Sequence, residues 1–295
     1  MAKESKKAIA KSREKKSGKI EGKGCCGIRK ALRVPMHKDF KLSELDPEST
    51  PCAPKKREAE DGVGETHARL NELQEILFAE SKHAVLVVLQ AMDTGGKDGT
   101  IRGVFGPMNP QGVRVTSFRQ PTPEELAHDF LWRIHNAVPR QGMIGIFNRS
   151  HYEDVLVVRV HEWVPMDEIE KRYDQINAFE KHLSENGVTI LKFCLHISKE
   201  EQKQRLQDRL DRPDKHWKFS TGDLAERELW DNYMAVYERA LRKCSTPWAP
   251  WYVVPANRKW YRDFAVEQIL LDTLEDMNLC YPEPEAGLDK IVIGD

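Results

Sequence analysis

The chain has 295 residues, 34.0 kDa, and 40% hydrophobic residues, enough for one large domain or two small ones with a sizeable core, and too apolar to be disordered throughout. Its longest apolar run, Ala84 to Leu89, is far short of the roughly 20 residues a membrane span needs. The formal charge of -1 is split: residues 1–30 carry 11 Lys and Arg against 3 Glu (+8), and the rest carry 35 basic against 44 acidic residues (-9), which gives no case for a nucleic-acid-binding body.

Residues 1–35, rich in Lys, Ser and Gly, read as a solvated basic tail. No apolar stretch follows its first basic residues, so no secretory leader is expected. Six cysteines without a C-x-x-C pair fit reduced thiols and a cytoplasmic setting. Residues 36–64, with Pro47, Pro51 and Pro54, predict an extended arm, and Leu70, Leu73, Ile76 and Leu77 are spaced as on a helix over 69–79. The pattern then alternates. Strands are expected at 84–89, 113–118, 143–147, 188–197 and 251–254. Helices are expected from about 97, over 123–137 with Thr122 as N-cap, over 167–186 stopped by Gly187, after Ser198, over 223–243 and over 258–276. Such alternation implies an α/β fold with a parallel sheet covered on both faces. The body is therefore expected to span residues 36–280, between the basic tail and a C-terminal tail from 281.

The strand at 84–89 runs into Met92-Asp93-Thr94-Gly95-Gly96-Lys97 and then a helix. Backbone N–H groups of such a loop and of the helix start point at an anion, and Lys97 adds a charge, so the context predicts a phosphate cradle. The strict P-loop pattern is not met: Ala91 stands for its first Gly and Asp98 for its Ser or Thr. After the third strand comes Asn148-Arg149-Ser150-His151-Tyr152-Glu153-Asp154, where Arg149 and Asp154 suit a phosphate and its metal ion. Arg205, Arg209 and Arg212 share a helix face, and Lys215, Trp217 and Lys218 follow in a loop that could close over a polyanion. For any one of these residues read singly, a solvated charged helix and a connecting loop is the better reading.

Five separated motifs resemble the polyphosphate kinase 2 family. They are Ala91–Gly99, Asp129–Arg133, Phe147–Leu156, Lys215–Lys218 with Gly222–Arg227, and Pro255–Tyr261. The resemblance covers about 34–277 and is to the single-domain branch acting on nucleoside mono- and diphosphates. It implies a thymidylate-kinase-like P-loop core with a helical lid at about 205–230. It also implies Mg²⁺-dependent transfer (Mn²⁺ as a substitute) from inorganic polyphosphate to AMP and ADP, with guanine nucleotides as further acceptors, in a homo-oligomer of two or four subunits. Carried over by residue, Asp93, Lys97 and Arg149 are catalytic. Gly95, Gly96, Lys97, Arg209, Arg212, Lys215 and Lys218 hold phosphates. Arg133, Asn148, Tyr152 and Lys259 are candidates for the nucleotide, and Asp93 and Asp154 for the metal. Many members carry Asp where this chain has Asn148.

Phosphoryl transfer to a phosphate acceptor asks for alignment and charge neutralisation, with no strong base. Two other readings stand beside the leading one: an ATP-dependent nucleoside monophosphate kinase, and a non-catalytic polyphosphate- or nucleotide-binding regulator. Asp93 and Lys97 together argue against the second.

Overall fold

The computed structural model describes residues 27–36 and 39–294. Five strands, β1 (Ala84–Gln90), β2 (Val113–Ser117), β3 (Ile144–Asn148), β4 (Val188–His196) and β5 (Trp251–Pro255), form one parallel sheet in the order β2-β3-β1-β4-β5. β1 is buried at all seven positions, as a Val/Leu run requires when helices cover both faces. β2 closes one edge and exposes Arg114, Val115 and Ser117. A charge on such an edge discourages pairing with another chain. From β1 the chain builds β2 and β3 on one side and β4 and β5 on the other. Ligands of open α/β sheets bind at this reversal, beyond the carboxyl ends of the strands.

The helices are α1 (Ile28–Leu32), α2 (Lys56–Glu80), α3 (Lys97–Thr100), α4 (Pro123–Leu126), α5 (Trp132–Ala137), α6 (Val157–Val160), α7 (Met166–Glu185), α8 (Lys199–Asp211), α9 (Gly222–Glu228), α10 (Trp230–Cys244) and α11 (Lys259–Asp276). The expected caps are present. Thr122 and Glu125 form a reciprocal capping box, and the Ser198 hydroxyl accepts the Glu201 N–H at 3.1 Å. Gly187 follows α7 with φ 86°. α10 turns Trp230, Tyr233, Val236, Tyr237, Ala240, Leu241 and Cys244 into the core at i, i+3, i+4 spacing. Among the described residues no helix is long and apolar enough to cross a membrane.

Four expectations are corrected. Residues 1–26, with Cys25 and Cys26, lie outside the described residues, but 28–35 is no solvated tail. Ile28 and Leu32 are buried, and the Val34 N–H donates to the Trp251 carbonyl at 2.9 Å. The arm expected over 36–64 becomes helical at Lys56, because packing of α2 along α11 overrides the low propensity of Gly62 and Gly64. The helix expected over 123–137 is two, because the Asp129 carboxylate accepts the Leu131 N–H at 3.0 Å and diverts the backbone. The helix expected over 223–243 also divides, at Leu229, whose N–H closes a tight turn to the Glu226 carbonyl at 3.2 Å.

Candidate active site

Parallel register sets Leu89 beside Asn148, so the loop after β1 and the turn after β3 emerge side by side. Each turn holds a non-glycine residue with positive φ, Thr94 and Arg149, both at 63°. For a β-branched Thr this conformation is costly and persists where the surroundings hold it. Here α8 does so. Arg205 Nη1 donates to the Thr94 carbonyl at 2.9 Å, and Gln202 Nε2 to the Asp93 carbonyl at 3.2 Å. The Gly95 N–H closes the turn on the Met92 carbonyl at 2.9 Å. A Cβ on Gly95 would lie 2.5 Å from the Ala91 Cβ and 2.8 Å from the Met92 oxygen, so the turn needs glycine there.

The charges follow from this backbone. Lys97, first residue of α3, donates from Nζ to the Ala91 carbonyl at 2.8 Å. Arg149 Nη2 donates to Asp93 Oδ1 at 2.9 Å, and Nη1 lies 3.5 Å from Glu153. Burial, and then the Arg149 cation, pull the Lys97 ammonium below its ordinary pKa against the pull of Asp93, Glu153 and Asp98. A cavity of about 710 Å³ opens on this group, with Arg102, Arg209, Arg212, Lys215, Lys218 and Lys259 also in its wall. Glycine turn, desolvated lysine and a ring of cations make a seat for several phosphate groups.

Residues 53–281 match the family model described as Polyphosphate kinase 2 (PPK2). The chain belongs to the polyphosphate kinase 2 family. It is 56% identical over 265 residues to an AMP/ADP-polyphosphate phosphotransferase of Meiothermus ruber, covering 90% of this chain and 99% of that one. It is 48% identical over 227 residues to an ADP-polyphosphate phosphotransferase of Rhodopseudomonas palustris, covering 73% and 78%. The crystal structure of polyphosphate kinase 2 from Arthrobacter aurescens TC1 superposes with a TM-score of 0.86 at 51% identity, covering 89% of this chain and 94% of that one. The protein is thus an enzyme of phosphoryl transfer on an α/β P-loop kinase fold, and enzymes of this class work with a divalent metal ion.

Most of the residues expected from the sequence meet in this polyphosphate kinase cavity: Asp93, Gly95, Gly96, Lys97, Asn148, Arg149, Arg209, Arg212, Lys215, Lys218 and Lys259. Three do not. Tyr152, expected at the nucleotide, is fully buried; its hydroxyl donates to Glu180 at 2.9 Å and accepts from Lys192 at 2.7 Å. Arg133 lies behind the wall. Its Nη1 donates to the Arg119 carbonyl at 2.9 Å, and it faces a smaller cavity of about 380 Å³ that shares Ser117, Phe118, Arg119 and Gln120 with the first. Asp154, expected as a second metal carboxylate, stands between Arg133 at 3.8 Å and Arg172 at 3.7 Å, away from the cavity wall. Burial, opposed by these arginines, raises its pKa to about 6.

Asn148 has a partner that explains its amide. Nδ2 donates to Asp98 Oδ1 at 3.0 Å, and Lys218 Nζ lies 3.4 Å from Oδ2. Burial raises the Asp98 pKa, but the amide and Lys218 outweigh it and hold the group below the ordinary value. A carboxylate at 148 would face Asp98 instead. Arg102, Arg119, Asp208 and Arg262 also line the cavity and carry no signal in the motifs; the helical turn Ile101–Phe105, the segment after β2, α8 and α11 bring them there from distant parts of the chain.

Proposed function

We propose that the chain transfers phosphoryl groups from inorganic polyphosphate to AMP and ADP, forming ADP and ATP with Mg²⁺. One observation carries this reading: a glycine turn with Lys97, Arg149 and Asp93 shares one cavity with the lid cations Arg209, Arg212, Lys215 and Lys218, a longer run of positive charge than one nucleotide triphosphate needs. The acceptor brings its own anionic oxygen, so the residues act by placement. The loop N–H groups and Lys97 hold the transferring group, and Arg149 offsets charge as the bridging bond lengthens.

Asp93 fits the metal. Arg149 engages Oδ1, and among the described residues no protein donor engages Oδ2. No cluster of three or more His, Cys, Asp or Glu among the described residues forms a cage. Mg²⁺ suits this arrangement, because it takes one or two carboxylates and completes its shell with phosphate oxygens and water. When bound, it would neutralise phosphate charge. The names of the relatives from Meiothermus ruber and Rhodopseudomonas palustris agree with polyphosphate as donor and AMP and ADP as acceptors. Assembly into a dimer or tetramer belongs to the same reading and is measured by light scattering.

The test incubates the protein with Mg²⁺, polyphosphate and AMP or ADP, and quantifies ADP and ATP. Product with ATP and AMP but none with polyphosphate would favour a nucleoside monophosphate kinase. No product with either donor would favour a binding protein.

A further inference from the structure

The first turn of α11 contradicts its own helix. Negative charge stabilises a helix N-terminus, yet this one has Arg258 as N-cap, then Lys259 and Arg262, and no acidic residue in its first turn. Arg258 has an exposed outlet in Glu48, at 3.5 Å. Arg262 is buried, 4% exposed, beside the phosphate loop, and what remains exposed lines the cavity. Asp263 holds its guanidinium in a fork, with Nε and Nη2 each 2.8 Å from a carboxylate oxygen. The fork leaves Nη1 over the α-carbon of Gly96, where a Cβ would collide with it, and a Cβ on Gly99 would lie 2.9 Å from Nη2. Gly96 and Gly99 therefore make room for this side chain.

Its surroundings are short of negative charge. Arg205 stands close enough for the Arg262 charge to add to burial in lowering its pKa, against Glu201. Lys259 and Arg102 lie in the same wall. A buried cation facing further cations is costly unless something negative completes the group. Burial raises the Asp263 pKa despite Arg262. The deficit faces the cavity.

We propose that Arg262, fixed by Asp263, binds the donor polyphosphate at phosphates beyond the one transferred, and so makes the enzyme prefer long chains. This rests on the proposed use of polyphosphate. A guanidinium with two donors locked and one edge open is a pre-aimed phosphate contact, and the helix N-terminus beneath it adds to the field. Lys97 and Arg149 serve the reacting group, whereas Arg262 serves the chain that trails from it.

The experiment compares wild type, Arg262→Gln and Arg262→Lys with long-chain polyphosphate and with tripolyphosphate, together with metal-free binding of the long chain by calorimetry and thermal unfolding. In Arg262→Gln the KM for the long chain should rise about tenfold, the worth of one charge-assisted hydrogen bond. The KM for tripolyphosphate should rise less, the KM for ADP should hold, and Arg262→Lys should recover part of the loss. Long-chain affinity in calorimetry should fall with the KM. A purely structural prop would move kcat and every KM together and lower the melting temperature, and that outcome overturns the inference, as does an unchanged ratio of long-chain to tripolyphosphate KM. Wild type unable to use polyphosphate would instead overturn the functional reading.

Discussion

Two lysines lie in the same molecule at the ends of neighbouring structural problems. Lys192, in the middle of β4, is fully buried, and its three donors all have acceptors: Glu180 at 2.5 Å, the Tyr152 hydroxyl at 2.7 Å and the Cys244 carbonyl at 2.7 Å. His151 completes the group at 3.2 Å from Glu180. Among the described residues Lys97 hydrogen-bonds to the Ala91 carbonyl alone; Asp93, Glu153 and Asp98 pull on its charge without forming an ion pair with it, and burial and the Arg149 cation outweigh them. The first lysine is complete without a ligand and belongs to the core. The second is left incomplete, and its missing partner is anionic. Buried polar groups that are satisfied specify structure, while those left short beside a cavity mark where substrate enters.

The comparison is broken most directly at Lys192. Lys192→Met leaves Glu180 buried without its cation and should destabilise the fold by about 3–5 kcal/mol, read from denaturant unfolding. Replacing Lys192 and Glu180 together by apolar residues should recover much of that loss, as a double-mutant cycle measures. Turnover per folded molecule, measured in the cold, should change little. Lys97→Met should do the opposite: turnover falls about 10²-fold or more, with an unfolding transition near that of wild type. Equal losses of stability in the two variants would erase the distinction.

This contrast also explains what the sequence made legible. The strands are readable because Val85–Leu89 and Ile144–Phe147 are apolar runs bounded by turns, and Val188–Leu195 is apolar apart from Thr189 and Lys192. The phosphate loop was readable because strand, glycines, lysine and helix occur in one short stretch. Tyr152 was misplaced because it sits three residues past Arg149, yet a short 3₁₀ turn over His151–Val155 carries its ring into the core. Arg262 falls within the helix expected over 258–276 and carries no signal of its own, since its partner glycines are brought to it only by folding. The helix Ile28–Leu32 was hidden because two apolar side chains in a basic segment make no periodic signal. Burial pushes the Cys194 and Cys244 thiols up to about 12, which disfavours the reactive thiolate at both.

Asp154 sharpens the comparison through pH. Its folded pKa of about 6 lies above the ordinary 3.8. The native state therefore holds the proton more tightly than the unfolded chain, and the contribution of this group to stability is full below about pH 4 and is lost as pH rises to about 6. The unfolding free energy of wild type minus that of Asp154→Asn should fall by at most about 3 kcal/mol over that window and stay level above it. Asp154→Asn should also leave the Mg²⁺ concentration for half-maximal rate unchanged, whereas Asp93→Asn should raise it or abolish activity. A shifted Mg²⁺ curve for Asp154→Asn would return that residue to the metal.

The smallest effect is expected in the lid, where cations are paired but accessible. Lys215 lies 3.5 Å from Asp214, and Lys218 lies 3.4 Å from Asp98. Such partly exposed pairs contribute little, so a polyanion can replace either carboxylate at small cost. Lys215 and Lys218 are one 3₁₀ turn apart and share the face toward the cavity, while Trp217 between them is 78% exposed. Replacing both lysines by Ala should weaken long-chain polyphosphate binding modestly. The slope of log affinity against log salt should become shallower by about 1.5, because two fewer counterions are released. Trp217→Ala, which removes no charge, should leave that slope as it is. An unchanged slope in the double lysine variant would mean that the polyphosphate chain does not run under the lid, and the cavity's long-chain contacts would then fall to the side of α11.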